Sequence, residues 1–199
     1  CVGNLKQIGF FLFQYSNDYS DYVIPCDTKL DEISTSPWIA KFYTLHYVSG
    51  KYSDDFSSSI GPGNSRGRIF RCNEHIDQQP SYAINTGISA SPESLFYYRY
   101  YASGSDMISY YYKISQLRKP SQVLYVADAV RYSMSFGIFY TNRKHFRDND
   151  GATLGFRHNG MANLLMADGH VTQFSYGNIP PLVNIRTNDY FFIARGTTY

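Results

Sequence analysis

Residues 1–20 carry the clearest helical pattern of hydrophobic positions in the chain. Apolar and aromatic residues recur there at spacings of three and four, so they line one face of a helix. These residues are Leu5, Ile8, Leu12, Tyr15 and Tyr19. Polar residues lie mostly elsewhere around the same turns, and Pro25 prevents the helix from continuing. The pattern predicts an amphipathic helix that packs against the rest of the protein.

A second, shorter helix is predicted from Ser36 to just before Gly50. Serine is a preferred helix cap, and Pro37 suits the first helical position. The apolar stripe of this helix consists of Trp38, Phe42 and Leu45. Residues 51–67 are rich in serine and glycine, and this composition predicts a polar loop.

The remainder of the chain has the alternation and the turn residues typical of short strands. The six candidate strands are 68–72, 81–87, 123–127, 135–140, 162–166 and 171–175. Residues 93–113 are rich in tyrosine and follow no clean period, so we interpret them as an insertion. Helices followed by strands predict an α+β fold with the helices on one face of a largely antiparallel sheet. No linker divides residues 1–199, which favours a single domain.

The segment 162–175 carries a strong β-hairpin signal. Asp168 and Gly169 lie between two strand-like runs and suit a two-residue type I′ turn, which requires positive φ. His158, Asp168 and His170 also have the chemistry of metal ligands or acid–base groups. Hydrogen-bonded histidines and a turn-forming aspartate explain the same residues, and we prefer that interpretation.

Composition and charge narrow the function classes. Hydrophobic residues make up 43% of the chain and charged residues 17%, which is a globular composition. The net charge of +2 is too small to indicate a nucleic-acid partner. No stretch reaches the roughly 18 apolar residues of a membrane span. Twenty tyrosines raise the aromatic share to 18%, which suits wide, half-buried surfaces.

The metal-binding and nucleophilic motifs in the sequence are incomplete. Cys72 and His75 have half of a zinc spacing, but no second pair completes it. Cys72 and His158 have the residue types of a nucleophile and its base, without a local signature. Residues 148–151 resemble part of a calcium loop, although Phe146 occupies a position that needs an oxygen ligand.

Three segments, taken in order, resemble successive parts of one family. Residues 1–25 look like the helix that follows its hydrophobic N-terminus, and 114–129 (ISQLRKPSQVLYVADA) resemble its Pro-Ser strand with an Ala-Asp pair. The third segment is similar to its signature of a histidine, nine residues and Asp-Gly, here His158, Asp168 and Gly169. The family is that of the bacterial prepilin-like proteins, which includes the pseudopilins of type II secretion.

The resemblance implies a pilin-like fold, with residues 1–20 as the C-terminal half of a long helix and 21–199 as a helix-plus-sheet head. It implies an apolar segment ahead of Cys1 that anchors the subunit in the inner membrane, with the head in the periplasm or at the cell surface. The expected function is a structural or accessory subunit of a type II secretion or type IV pilus-like assembly, without catalysis. Expected partners are other pilin-like subunits, the assembly machinery and the membrane, and no nucleic acid. We expect no cofactor apart from a calcium ion, which the sequence does not place.

Export would place the three cysteines where disulfides persist. Cys26–Cys72 and Cys1–Cys72 are then both candidate pairings, and the sequence does not choose between them.

Two alternative functions remain open at this level. A surface binding module would present tyrosine-rich residues to a glycan or another polymer. Its candidate residues are Tyr97, Tyr98, Tyr100, Tyr101 and Tyr111. A metal-dependent hydrolase would instead require His158, Asp168 and His170 to converge in a cleft.

Overall fold

The computed structural model describes residues 1–25, 27–31, 34–51, 66–74, 81–85, 88, 113–117, 119–129, 138–139 and 154–178. Within these ranges the helices are α1 (Val2–Asp18) and α2 (Trp38–Thr44). The strands are β1 (Asp27–Asp31), β2 (Ser34–Pro37), β3 (Tyr82–Asn85), β4 (Leu124–Asp128), β5 (Ile138–Phe139), β6 (Met161–Met166) and β7 (Val171–Ser175). Neither of these α-helices has both the length and the apolar character that a bilayer crossing requires.

Helix α1 confirms the predicted amphipathic helix. Its buried face consists of Leu5, Ile8, Gly9, Leu12, Tyr15 and Ser16. Tyr19 differs from the prediction because it is 41% exposed and stacks on the ring of Tyr15, with centroids 4.4 Å apart. Ser20 and Asp21 adopt positive φ directly after the helix, which turns the chain away from the helix axis.

The main sheet has the strand order β5-β3-β4-β6-β7. Strands β3, β4, β6 and β7 pair antiparallel, whereas β5 pairs parallel with β3. All residues of β3 and β4 are buried, which places these two strands at the centre of the core. The leading helix and the four-stranded antiparallel sheet agree with the predicted α+β class.

Helix α1 crosses the sheet at a close approach between Gly9 and Leu165. A Cβ atom at residue 9 would lie 3.1 Å from Leu165 Cδ1, so glycine lets the helix backbone come close to β6. The largest core cluster lies on this side of the sheet and includes Leu5, Ile8 and Val126. Successive side chains of a strand point to opposite faces of the sheet. Leu124 and Leu164 therefore belong to a smaller cluster on the other face.

Helix α2 begins one residue later than the sequence predicts. Pro37 is the last residue of β2, and the helix starts at Trp38. Trp38, Phe42 and Phe70 pack together, with the stacked rings of Phe42 and Phe70 centred 5.8 Å apart. Burial of these large rings fixes the short helix against the core.

One sequence prediction is wrong in this region, and one hairpin was not foreseen. The candidate strand 68–72 is not a strand, because residues Arg66–Phe70 form a 3-10 helix that turns Phe70 into the aromatic cluster. The β1–β2 hairpin was not predicted, since no Asn-Gly or Asp-Gly turn marks it. Of the candidate strand 135–140, the described residues Ile138–Phe139 form β5.

The hairpin of β6 and β7 is confirmed, but its predicted turn type is wrong. The register runs from Met161 opposite Ser175 to Leu165 opposite Val171. Positive φ is found at Gly169 alone, at 91°, whereas type I′ would require it at Asp168 as well. The loop has three residues, with Gly169 N donating to Met166 O and a left-handed glycine before the return strand.

Candidate functional site

Cys1 and Cys72 form a disulfide that joins the start of α1 to the segment after the 3-10 helix, across 71 residues. Of the two candidate pairings, the structure has Cys1–Cys72 rather than Cys26–Cys72. Asn4 reinforces the same junction, since its Nδ2 donates to Arg71 O at 2.8 Å. Cys26 itself lies outside the described residues.

His158 lies beside this disulfide and in contact with a buried carboxylate. Its Nε2 atom is 3.4 Å from Cys72 Sγ and 3.1 Å from Asp128 Oδ2. A tight turn through Asn159 and Gly160 fixes the position of His158, because His158 and Met161 exchange both backbone hydrogen bonds across it. Both turn residues have positive φ, which is the requirement of type I′ and the reason Asn-Gly favours it.

Asp128 is the fully buried residue of this cluster, and it ends β4. Its Oδ2 atom accepts hydrogen bonds from Asn163 N and Asn163 Nδ2, each at 2.8 Å. Gln173 Nε2 donates to Asn163 Oδ1 at 2.8 Å, so the network continues from β6 to β7. The other carboxylate oxygen, Asp128 Oδ1, is buried and has no hydrogen-bond partner within the described ranges.

The electrostatics of the cluster follow from its burial. Burial raises the pKa of the Asp128 carboxyl, while the hydrogen bonds from Asn163 and the charges of His158 and Arg157 act to lower it. Burial lowers the pKa of Arg157, whose Nη2 donates to Ala129 O. The hydroxyl of Tyr82, 3.4 Å from Cys1 O, has a pKa raised by burial and by Asp128.

The cluster brings together residue types with distinct chemistry. Cys1 Sγ, Cys72 Sγ and His158 Nε2 lie within 4.8 Å of one another. In the disulfide state Cys72 has no thiol, so the contact with His158 does not constitute a nucleophile and its base. In the reduced state the same atoms would be two thiols and an imidazole beside a buried carboxylate.

Asp168 and His170 lie at the opposite end of β6 from His158. Asp168 Oδ1 accepts from His170 N at 3.1 Å and lies 2.6 Å from His170 Nδ1, which makes a local turn pair. Both side chains are partly exposed to solvent. Strand β6 separates His158 from this pair by about 17 Å at the usual rise per residue. His158, Asp168 and His170 therefore do not converge into the cleft that the hydrolase hypothesis required of them.

Sequence reasoning found His158 but missed most of its surroundings. Asp128 was noted only within the Ala-Asp pair, and Asn163 was not singled out. Asp128 and Asn163 are 35 residues apart, and Cys72 and His158 are 86 apart, so neither pair has a local signature. One usable signal was the Asn-Gly dipeptide that follows His158 directly.

Other candidate residues lie outside the described part of the chain. They are Tyr97, Tyr98, Tyr100, Tyr101 and Tyr111 of the tyrosine-rich surface, His75, and residues 148–151 of the partial calcium loop.

The chain matches no protein-family model, no curated protein and no solved structure.

Proposed function

We propose that this chain is a pilin-like structural or accessory subunit of a type II secretion or type IV pilus-like assembly. An apolar segment ahead of Cys1 would continue α1 into the inner membrane, and the head would lie outside the cytoplasm. Its partners would be other pilin-like subunits and the assembly machinery, and it would carry out no catalysis. The observation that supports this best is the packing of α1 on the antiparallel sheet, with the ring of Phe10 left exposed on its outer face.

The outer face of α1 carries one large exposed ring among polar residues. Phe10 is 66% exposed and lies on the side of the helix opposite its buried residues. In an assembly of subunits, this ring offers an apolar contact to a neighbour. Full burial of a phenylalanine side chain contributes roughly 1.5–3 kcal/mol of favourable free energy. Burial of Phe10 against a neighbouring subunit would therefore favour association.

The Cys1–Cys72 disulfide supports a head outside the cytoplasm. Disulfides persist in oxidising compartments and are rare in the cytosol. In a membrane-anchored subunit, this bond would connect the anchoring helix covalently to the head at the point where the two meet.

Photo-crosslinking of the full-length protein in its own bacterium tests the proposal. A photoreactive phenylalanine analogue at Phe10 is expected to give covalent products with pilin-like subunits, and these should disappear in cells that lack the leader peptidase. The same analogue at Tyr176, an aromatic that is 48% exposed outside α1, serves as the matched control. A precursor that the leader peptidase does not shorten, or identical products from both sites, would contradict the proposal.

A further inference from the structure

Two atoms of the cysteine–histidine cluster already have the spacing of ligands in a zinc centre. Bond lengths of about 2.3 Å to sulfur and 2.0–2.1 Å to nitrogen place the ligand atoms of tetrahedral zinc roughly 3.4–3.8 Å apart. Cys72 Sγ and His158 Nε2 are 3.4 Å apart. Cys1 Sγ completes a group of three ligand atoms that lie within 4.8 Å of one another.

The carboxylate of Asp128 lies beside this group without being one of its ligand atoms. Its Oδ2 accepts two hydrogen bonds from Asn163, which hold the carboxylate in orientation, and lies 3.1 Å from His158 Nε2. A carboxylate this close to the histidine favours a positively charged ion at the group, because opposite charges attract more strongly where water is excluded.

We propose that Cys1, Cys72 and His158 bind one Zn²⁺ when the disulfide is reduced, with a solvent molecule as the fourth ligand. Two thiolates, an imidazole and a water molecule are a donor set that zinc accepts in tetrahedral sites. This inference goes beyond the proposed structural role and does not depend on it.

Zinc binding requires prior reduction of the Cys1–Cys72 disulfide, and a dithiol can act as the reductant. The dithiol gives two electrons to the Cys1–Cys72 bond and becomes a cyclic disulfide, leaving two cysteine thiols. Binding of Zn²⁺ then displaces both thiol protons to the solvent, because zinc coordinates thiolates. His158 supplies its neutral Nε2 lone pair to the metal.

The reduced site needs little rearrangement. Cys72 is buried, with its backbone N–H donating to Ser81 Oγ at 2.8 Å, and the Asn-Gly turn fixes His158. Cys1 is half-buried at the first turn of α1, so rotation of its side chain can separate the two sulfurs to about 3.8 Å. Both backbones can stay in place, since the Cα atoms are 5.2 Å apart.

Cobalt titration under anaerobic conditions tests the proposal. The full chain, reduced with a dithiol and freed of it by desalting, is expected to bind one Co²⁺ with the visible and near-ultraviolet bands of tetrahedral thiolate coordination. Zn²⁺ should displace the cobalt, and the oxidised chain should show no such bands. If the reduced wild-type chain binds neither ion at one equivalent, the proposal is overturned.

Variants identify the ligands. His158→Ala and His158→Gln should lose the tetrahedral spectrum, and Asp128→Asn should weaken binding by roughly 10–100-fold. His170→Ala is the matched control and should bind normally, because His170 lies at the opposite end of β6 from His158 and pairs with Asp168. Normal binding by both His158 variants, or loss of binding in His170→Ala, would overturn the assignment. Far-ultraviolet circular dichroism identifies variants that are unfolded, which are excluded from this comparison.

Discussion

Gly169 is the residue at which the β6–β7 turn meets helix α1. Its φ of 91° is strained for any residue with a Cβ atom, and that atom would lie 2.7 Å from Phe13 Cε2. We expect Gly169→Ala to lower the free energy of unfolding by about 1–3 kcal/mol. Urea denaturation followed by the fluorescence of Trp38, the single tryptophan, measures the change.

Gly160→Ala is the matched control for this prediction. Gly160 also has positive φ, at 76°, but a Cβ atom there meets nothing within 4 Å. Gly160→Ala should therefore show the backbone strain alone, about 1 kcal/mol, and should be milder than Gly169→Ala. Equal losses in the two variants would mean that Phe13 does not crowd residue 169.

Asp21 gives the protein a pH-dependent contribution to stability. Hydrogen bonds from Ser115, whose N–H lies 2.9 Å from Asp21 Oδ2, lower the pKa of Asp21, and the charge of Lys113 adds to this effect. Because the folded pKa lies below 3.8, the stabilisation is present above pH 3.8 and is lost as the pH falls through the folded value.

Asp21→Asn tests this contribution, because asparagine keeps the acceptor oxygen and tolerates the positive φ at this position. Near neutral pH the wild-type chain should be more stable by less than about 1 kcal/mol, since the group is largely solvent-exposed. The difference should shrink in strongly acidic buffer and at high salt. A constant difference in urea denaturation across the acidic range would show that the charge does not contribute.

At the scale of elements, two glycines of α1 should respond to substitution in opposite directions. A Cβ atom at Gly3 meets nothing within 4 Å, so Gly3→Ala should raise the free energy of unfolding by about 0.5–1 kcal/mol through helix propensity. Gly9 faces Leu165 at 3.1 Å, so the larger Gly9→Val should push α1 off β6 and lower stability by about 1–3 kcal/mol. Thermal unfolding of both variants compares them, and a stabilised Gly9→Val would contradict the close approach.

Elements with a strong local period could be predicted from the sequence, whereas those set by distant contacts could not. Helix α1 and strands β6 and β7 carry their pattern in their own residues. The 3-10 helix Arg66–Phe70 instead follows from packing of Phe70 against Phe42, 28 positions earlier in the chain. The same limit applies to the site, since His158 was recognisable while its contacts with Cys72 and Asp128 depend on how three separate segments assemble.

At the scale of the whole molecule, the Cys1–Cys72 disulfide is expected to be a major source of stability. Closing a loop of this length typically contributes about 2–4 kcal/mol, mainly by restricting the unfolded chain. Reduction, or Cys1→Ser, should lower the free energy of unfolding by that amount, and Cys26→Ser should have little effect. Of the three cysteines two are bridged, so the denatured, oxidised chain should titrate as one free thiol. Three thiols would contradict the bridge.

The two proposals describe the same junction under different redox conditions. In an oxidising compartment the sulfurs of Cys1 and Cys72 bond to each other, and in a reducing one they would share a zinc ion with His158. Either arrangement fastens the start of α1 to the segment that follows the 3-10 helix. The link between helix and head would therefore persist as the protein moves between the two environments.

The bridge also determines how the molecule carries mechanical load. A pull applied at Cys1 passes through the sulfur atoms to Cys72 and bypasses the intervening polypeptide. That bypassed segment would otherwise extend by roughly 240 Å at about 3.4 Å per residue. In force spectroscopy this length should stay hidden while the bridge is oxidised and appear as added contour length after reduction. Tension along such a subunit would reach its sheet directly, without first unravelling α1.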